Sequence, residues 1–397
     1  MEIASRVQAV SPSATLQITA RAKSMRKEGI DVVNFGAGEP DFDTPQPIKD
    51  AAVKAINEGF TKYTPSTGIM ELKERISRKL REENSLEYTP QQIIVSCGAK
   101  HAIYNIIQVL VDKGDQVIIP APYWLSYPEM VRLAQAKPVI LETAQKDGFK
   151  IDIEKFKKKI NSSTKVLILN SPSNPTGIVY TKEELEKIAQ ICVENRITVI
   201  SDEIYEKLIY DGIKFTSLAS LGKEIYDLTV TVNGMSKSFS MTGWRIGYFA
   251  GSKEIIDAVE KFQDHSTSCP TSISQKAALA AFDMPQDFFV SMNAKFQERR
   301  DLITNYIDSK LSKFISYVRP EGAFYVFINI GKTKLDSFDF AKRLLEEYKV
   351  ALVPGEPFGA SNWVRISFAT SIEDIKKGLE RLELFLIKLN TEKLTKI

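Results

Sequence analysis

The chain has 397 residues, 43% hydrophobic and 26% charged, which is enough for a large core and a second, smaller one. Lys and Arg exceed Asp and Glu by only three, 53 against 50, and the two signs are interspersed, which excludes an electrostatic case for nucleic acid or a membrane surface and favours small-molecule partners. Cys97, Cys192 and Cys269 lie far apart without C-x-x-C spacing, which argues against a disulfide framework or a zinc site, and with only His101 and His265 a histidine-rich metal cluster is excluded; with no signal-peptide core at Met1–Arg6 and no apolar run of transmembrane length, a cytoplasmic protein is expected.

In chain order, Pro12 to Gly29 reads as a helix, followed by a strand-like run, Asp31–Phe35. Gly36-Ala-Gly-Glu-Pro-Asp-Phe-Asp-Thr-Pro45 must be a loop, with exposed amides near Gly38. Two amphipathic helices, Pro47–Glu58 and Met70–Glu83, flank a loop that carries Tyr63. A short buried-type strand from Gln92 then meets a glycine turn at Gly98 and a helix running to about Val111. The amides of Ala99 and Lys100 open that helix, where free donors and the helix dipole suit an anion. The strand Asp115–Pro120 leads to Trp124, which is either core or a lid for a flat ring.

Strand-like runs recur at Pro138–Leu141, Lys165–Leu169, Thr198–Ser201 and Thr229–Val232, with helices such as Lys182–Glu194 between them. This alternation predicts an α/β domain with a mostly parallel sheet, whose ligands bind beyond the carboxyl ends of the strands. Three of those ends carry polar groups: Asn170 to Gly177, Asp202-Glu-Ile-Tyr205, and Asn233-Gly-Met-Ser-Lys237. The last opens a turn that places Ser236, Lys237 and Arg245 between two strands, the second running to Gly251. After about Asp287 the pattern changes to a long helix through Leu311, strands at Tyr317–Val318 and Ala323–Asn329, and a helix at Asp336–Tyr348. Strands at Ala351–Val353 and Val364–Phe368 and a helix from Ile372 follow, and the tail beyond Asn390 is expected to be loose. This part reads as a separate α+β domain that the N-terminal segment joins.

A lysine beside a hydroxyl, with an arginine eight positions on, suits an imine to an aldehyde cofactor that also bears a phosphate. Around it, Asp202 suits a protonated pyridine nitrogen, and Asn174 and Tyr205 suit the ring hydroxyl oxygen of pyridoxal 5'-phosphate. Taken singly, Lys237 has a plain reading as a solvated turn, Asp202 as a helix cap, Tyr205 as core and Asn174 as the turn residue of an Asn-Pro step. Their joint occurrence at successive strand ends is what argues for a site.

The set Pro172-Ser-Asn-Pro-Thr-Gly177, Ser201-Asp-Glu-Ile-Tyr205 and Ser236-Lys-Ser-Phe-Ser-Met-Thr-Gly-Trp-Arg-Ile-Gly247 resembles the class I aminotransferases. Gly36-Ala-Gly-Glu-Pro-Asp41 upstream and Trp363-Val-Arg-Ile-Ser367 downstream extend the resemblance over nearly the whole chain. Within the family it is closest to the bacterial aspartate aminotransferase branch, some members of which also use prephenate. The resemblance implies fold type I: a large domain with a mostly parallel seven-stranded sheet flanked by helices, and a smaller α+β domain. The expected division is residues 1–45 joining the small domain, 46–286 as the large domain and 287–397 as the small one. It implies a homodimer with shared active sites and transfer of the amino group of L-aspartate to 2-oxoglutarate by a ping-pong mechanism. Residue by residue it makes Lys237 the cofactor-bonding lysine, puts Asp202, Asn174 and Tyr205 on the ring, and stacks Trp124 on its face. It assigns the phosphate to the Ala99 and Lys100 amides, Ser236, Arg245 and the second subunit's Tyr63, and the substrate α-carboxylate to Gly38 and Arg365. Lys100, near Thr15, is expected to meet a distal carboxylate, and Ser11 stands where prephenate-using members carry a lysine. Arg365 has a plainer alternative, a pair with a surface acid. Aromatic, alanine or prephenate transamination is an alternative, and a β-lyase or a cyclopropane-forming synthase would share Lys237, Asp202 and Arg365; an aminotransferase-like DNA-binding regulator would need an added segment, and a nicotinamide dehydrogenase a G-x-G-x-x-G turn, and neither is found.

Overall fold

The computed structural model describes residues 3–394. Its strands, among the described residues, are β1 (Val33–Asn34), β2 (Ile93–Ser96), β3 (Gln116–Ala121), β4 (Lys137–Glu142), β5 (Thr164–Asn170), β6 (Thr198–Asp202) and β7 (Thr229–Gly234). They continue with β8 (Gly247–Ala250), β9 (Ser316–Tyr317), β10 (Tyr325–Asn329), β11 (Val350–Ala351), β12 (Val353–Pro354) and β13 (Trp363–Ser367). Seven form one sheet in the order β2-β8-β7-β6-β5-β3-β4. Neighbours from β7 through β4 pair in parallel, whereas β8 is antiparallel to both β7 and β2. The fold is therefore the helix-flanked, mostly parallel seven-stranded α/β sheet that was expected.

The sheet holds together because both faces are apolar. In β5, Val166 and Ile168 enter the cluster shared with the helices Ala99–Leu110 and Lys253–Asp264, while Leu167 and Leu169 enter the one shared with Lys182–Glu194. A strand covered on both sides reads as an unbroken apolar run, which is why this segment shows no alternation. Each such side chain contributes about 1.5–3 kcal/mol by leaving water.

A second, antiparallel sheet runs β12-β13-β10-β9, and β1 pairs in parallel with β11, Val33 opposite Val350. Val33 and Phe35 share an apolar cluster with Phe296, Leu344 and Phe385, so the N-terminal segment packs on C-terminal elements. The long helix is Gln286–Tyr306, closing in a π turn over Ile307–Leu311.

Two expectations need correction. Ala351–Val353 is not one strand: Val350 and Ala351 pair with β1, while Val353 and Pro354 pair with β13, because the chain passes from one sheet to the other at Leu352. Nor is the tail loose directly after Asn390, since the last helix runs Ile372–Leu394, with Glu392 paired to Arg343 at 3.1 Å; the rest of the expected loose tail, 395–397, lies outside the described residues.

Candidate active site

The register of the large sheet puts the polar strand ends side by side. Asn170 at the end of β5 is level with Asp202 at the end of β6, and Asp202 with Val232 of β7. Because β8 runs the other way, its start lies at this same edge, with Gly247 opposite both Gly234 and Ser96. The connection from β7 to β8 therefore delivers Ser236, Lys237 and Arg245 to the carboxyl ends of the parallel strands. A cavity of about 480 Å³ opens there, a size suited to a small ligand. Thr15, Gly38, Ala99, Lys100, Trp124, Asn174, Asp202, Tyr205, Ser236, Lys237, Arg245 and Arg365 all line it. Tyr63 does not; it stands 93% exposed on the surface.

Lys237 Nζ donates to the carbonyl oxygen of Gly38 at 2.5 Å, tying the β7–β8 connection to the Gly36–Pro45 loop. Burial holds its pKa down to about 8; Glu39 pulls upward, and Arg365 and Arg245 press it further down. The lysine is thus a neutral amine far more often than a surface lysine is. Asp202 is 4% exposed, and burial pushes its carboxyl up to about 6 against the bonds from the Tyr127 hydroxyl and the Ile204 amide. Tyr205 bonds Tyr325 hydroxyl to hydroxyl at 2.9 Å, and burial raises its pKa well above 10, so it stays a neutral phenol. Asn174 is fixed from behind, its amide donating to Asn170 Oδ1 at 2.9 Å, while Asn170 Nδ2 donates to the Asp202 carbonyl at 2.9 Å.

Two sets of donors suited to anions face this group. The first is the start of the helix Ala99–Leu110, whose N-cap, Gly98, has φ 89 and offers no side chain to its first amides. A Cβ on Gly98 would lie 2.5 Å from Arg245 Nη2, and one on Gly247 would lie 2.3 Å from the Ala99 nitrogen, so both glycines are needed for the close approach. The Arg245 guanidinium is oriented by the carbonyls of Thr242, at 2.9 Å, and Cys97, at 3.2 Å. The second is Arg365, 2% exposed, whose Nη1 donates to Asn174 Oδ1 at 3.0 Å and Nη2 to the Gly36 carbonyl at 3.1 Å. Its Nε is buried without a partner, and it makes no ion pair with any described residue, so the alternative of a surface acid is ruled out. Lys100 extends its Nζ over the Trp124 ring, 5.0 Å from the centroid, and burial lowers its pKa.

The structure adds residues that the sequence did not single out. Tyr127 donates to Asp202 Oδ2 at 2.5 Å, Tyr325 carries the Arg365 guanidinium 4.2 Å above its ring, and Glu39 accepts from Thr242 Oγ1 at 2.8 Å. The one signal for Tyr127 is its spacing, three residues beyond Trp124 at the entry to the helix Ser126–Leu133. The Thr15 hydroxyl is buried with no partner among the described residues.

This arrangement has counterparts in known proteins. The sequence model of the family described as Aminotransferase class I and II matches residues 30–382. An aspartate aminotransferase of Bacillus subtilis (strain 168) is 50% identical, covering 98% of this chain and 100% of its own. A probable aspartate/prephenate aminotransferase of Aquifex aeolicus (strain VF5) is 46% identical, with 96% and 98% covered. Among solved structures, the aspartate aminotransferase of Thermus thermophilus with maleate superposes with a TM-score of 0.93 at 44% identity, covering 96% of this chain and 99% of that one. With the family model and full-length relatives in agreement with the fold, the chain belongs to the class I and II aminotransferases.

Proposed function

We propose that this enzyme is an aspartate aminotransferase that moves the amino group of L-aspartate to 2-oxoglutarate and uses pyridoxal 5'-phosphate, the cofactor of its family. The observation that carries the reading is Arg365. A guanidinium buried without a carboxylate is costly, and its retention beside a desolvated lysine calls for an anionic substrate whose two oxygens match the guanidinium fork. The aspartate aminotransferases among its relatives, and the dicarboxylate maleate held by the Thermus thermophilus enzyme, support aspartate as that substrate.

The residues fit the cofactor. The helix start at Ala99, Ser236 and Arg245 suit a phosphate, and Asp202 suits a protonated ring nitrogen. Asn174 and Tyr205 suit the ring oxygen, and Trp124 suits the ring face. When bound, pyridoxal phosphate supplies an aldehyde for amino groups and a ring that takes up electrons. With the cofactor bound and Lys237 Nζ free of it, that amine would take the proton from the substrate α-carbon and give it up to a different carbon, the one the cofactor contributes; a pKa near 8 suits one group to both transfers at neutral pH. Arg365, with Gly38, holds the α-carboxylate, and Lys100, beside Thr15, meets the distal one. We further propose a homodimer in which Tyr63 reaches the second chain's phosphate seat, a division into 46–286 and 287–397 with 1–45 joining the latter, and a cytoplasmic location.

The test is a panel of amino donors and keto acids given to the purified enzyme and to Lys237→Ala. Dicarboxylic pairs should turn over fastest, and the variant should lose the visible absorbance of bound cofactor and at least about 10³-fold in rate. A variant that transaminates at near the wild-type rate would remove Lys237 from its role.

A further inference from the structure

Tyr127 joins the two sides of the proposed ring site. Its ring meets Trp124 edge-on, with centroids 5.3 Å apart at 85°, and its amide donates to the Trp124 carbonyl at 3.0 Å. Its hydroxyl reaches across to Asp202 Oδ2 at 2.5 Å, and both side chains are buried. The other carboxylate oxygen, Oδ1, receives the Ile204 amide at 3.2 Å. The charged and titratable groups that act on Asp202 are therefore Tyr127 from the helix after β3, Lys237 from the β7–β8 connection, and Tyr205 from its own strand end.

We infer that Tyr127 is a positioning residue for the reaction: by donating to Oδ2 its phenol keeps Asp202 a carboxylate and fixes its orientation beside the cofactor's ring nitrogen. This rests on the reading that Asp202 faces that nitrogen. The physical case is a balance between burial and donors. A carboxyl in a dry site tends to keep its proton, and a protonated Asp202 has no charge with which to stabilise a protonated ring nitrogen. Donors to the ionised form oppose that tendency, and the short charge-assisted bond from Tyr127 is the stronger of the two Asp202 receives. Burial and the Asp202 charge raise the Tyr127 phenol well above 10, so it remains a donor throughout the working range.

The experiment follows the Asp202 carboxyl by infrared difference spectroscopy in cofactor-free protein, with Asp202→Asn to assign the band. In Tyr127→Phe the titration midpoint should rise by about one pH unit, and with Tyr127 replaced by 3-fluorotyrosine, a more acidic donor of nearly the same shape, it should fall. In the loaded enzyme the acid limb of kcat/KM should move in the same two directions, with cofactor affinity in Tyr127→Phe about tenfold weaker on that limb. A midpoint unmoved in folded Tyr127→Phe, or unmoved or raised with 3-fluorotyrosine, overturns the inference. A wild-type protein that binds no pyridoxal phosphate overturns the reading beneath it, and the cofactor-free titration tells the two failures apart.

Discussion

Asp202 sits where a carboxylate is least comfortable, and that discomfort is measurable. Its folded pKa is raised from 3.8 to about 6, so the group favours folding below pH 3.8, loses that contribution as pH rises through 6, and carries the full cost at neutral pH. Cofactor-free Asp202→Asn should therefore be more stable than wild type at pH 7 by up to about 3 kcal/mol, and no more stable at pH 3.5. Urea denaturation at the two pH values reads this directly, and a destabilised variant at pH 7 would show that burial is not what governs the group. Lys100 makes the companion case for specificity. It has no ion pair among the described residues, and it shares an adjoining hollow with Ser11. Lys100→Ala should raise KM for aspartate by about 2 kcal/mol more than for an apolar amino acid. With Ser11 in place of a lysine, prephenate should be a poor substrate. Equal losses for both donors would confine Lys100 to the phosphate seat, and rapid prephenate turnover would show that Ser11 does not decide the matter. Lys237, Asp202 and Asn174 were legible because each stands at or just past the end of a strand-like run, and Arg245 because it stands eight positions beyond Lys237. Tyr127 and Tyr325 were not, since a buried tyrosine next to apolar neighbours has the same pattern whether it fills space or bonds a carboxylate.

At the scale of the element, the site depends on one strand running backwards. The alternation of strands and helices made the parallel part of the sheet legible. It did not reveal that β8 is inserted antiparallel between β7 and β2, because a short turn and a long crossover leave the same apolar strand behind them. That insertion presses Gly247 against Ala99 and brings Arg245 over Gly98. Gly98→Ala tests the arrangement. At φ 89 and ψ 160 its backbone lies in a region open almost only to glycine, so the substitution should cost about 1–3 kcal/mol of stability. It should also push the Arg245 guanidinium off its place and weaken cofactor binding at least about tenfold. Chemical denaturation and a pyridoxal phosphate titration measure the two effects, and wild-type values in both would mean that the turn is not a phosphate seat. The divided run at Val350–Pro354 shows the same limit, for an apolar stretch announces that it is buried without naming the sheet that buries it.

For the whole molecule, the informative feature is what a single chain leaves uncovered. Tyr63 is 93% exposed, and on the helices and loop around it Val53, Ile56 and Met70 are 55%, 51% and 45% exposed. Apolar residues exposed singly are ordinary; in the proposed homodimer these would meet the second chain, and Tyr63 would complete that chain's phosphate seat. That arrangement makes a prediction about mixed dimers of Tyr63→Phe and Lys237→Ala chains. If each site takes its lysine from one chain and its tyrosine from the other, the hybrid has one site with both lesions and one with neither. Hybrids isolated by two affinity tags should then show one full-affinity cofactor site per dimer and about half the wild-type rate, since intact sites act independently. If instead each chain builds its own site, every site in the hybrid carries a lesion, one lacking the lysine and the other the tyrosine hydroxyl, and no full-affinity site is found. The count of such sites separates the two architectures without any need to know how much either substitution costs by itself.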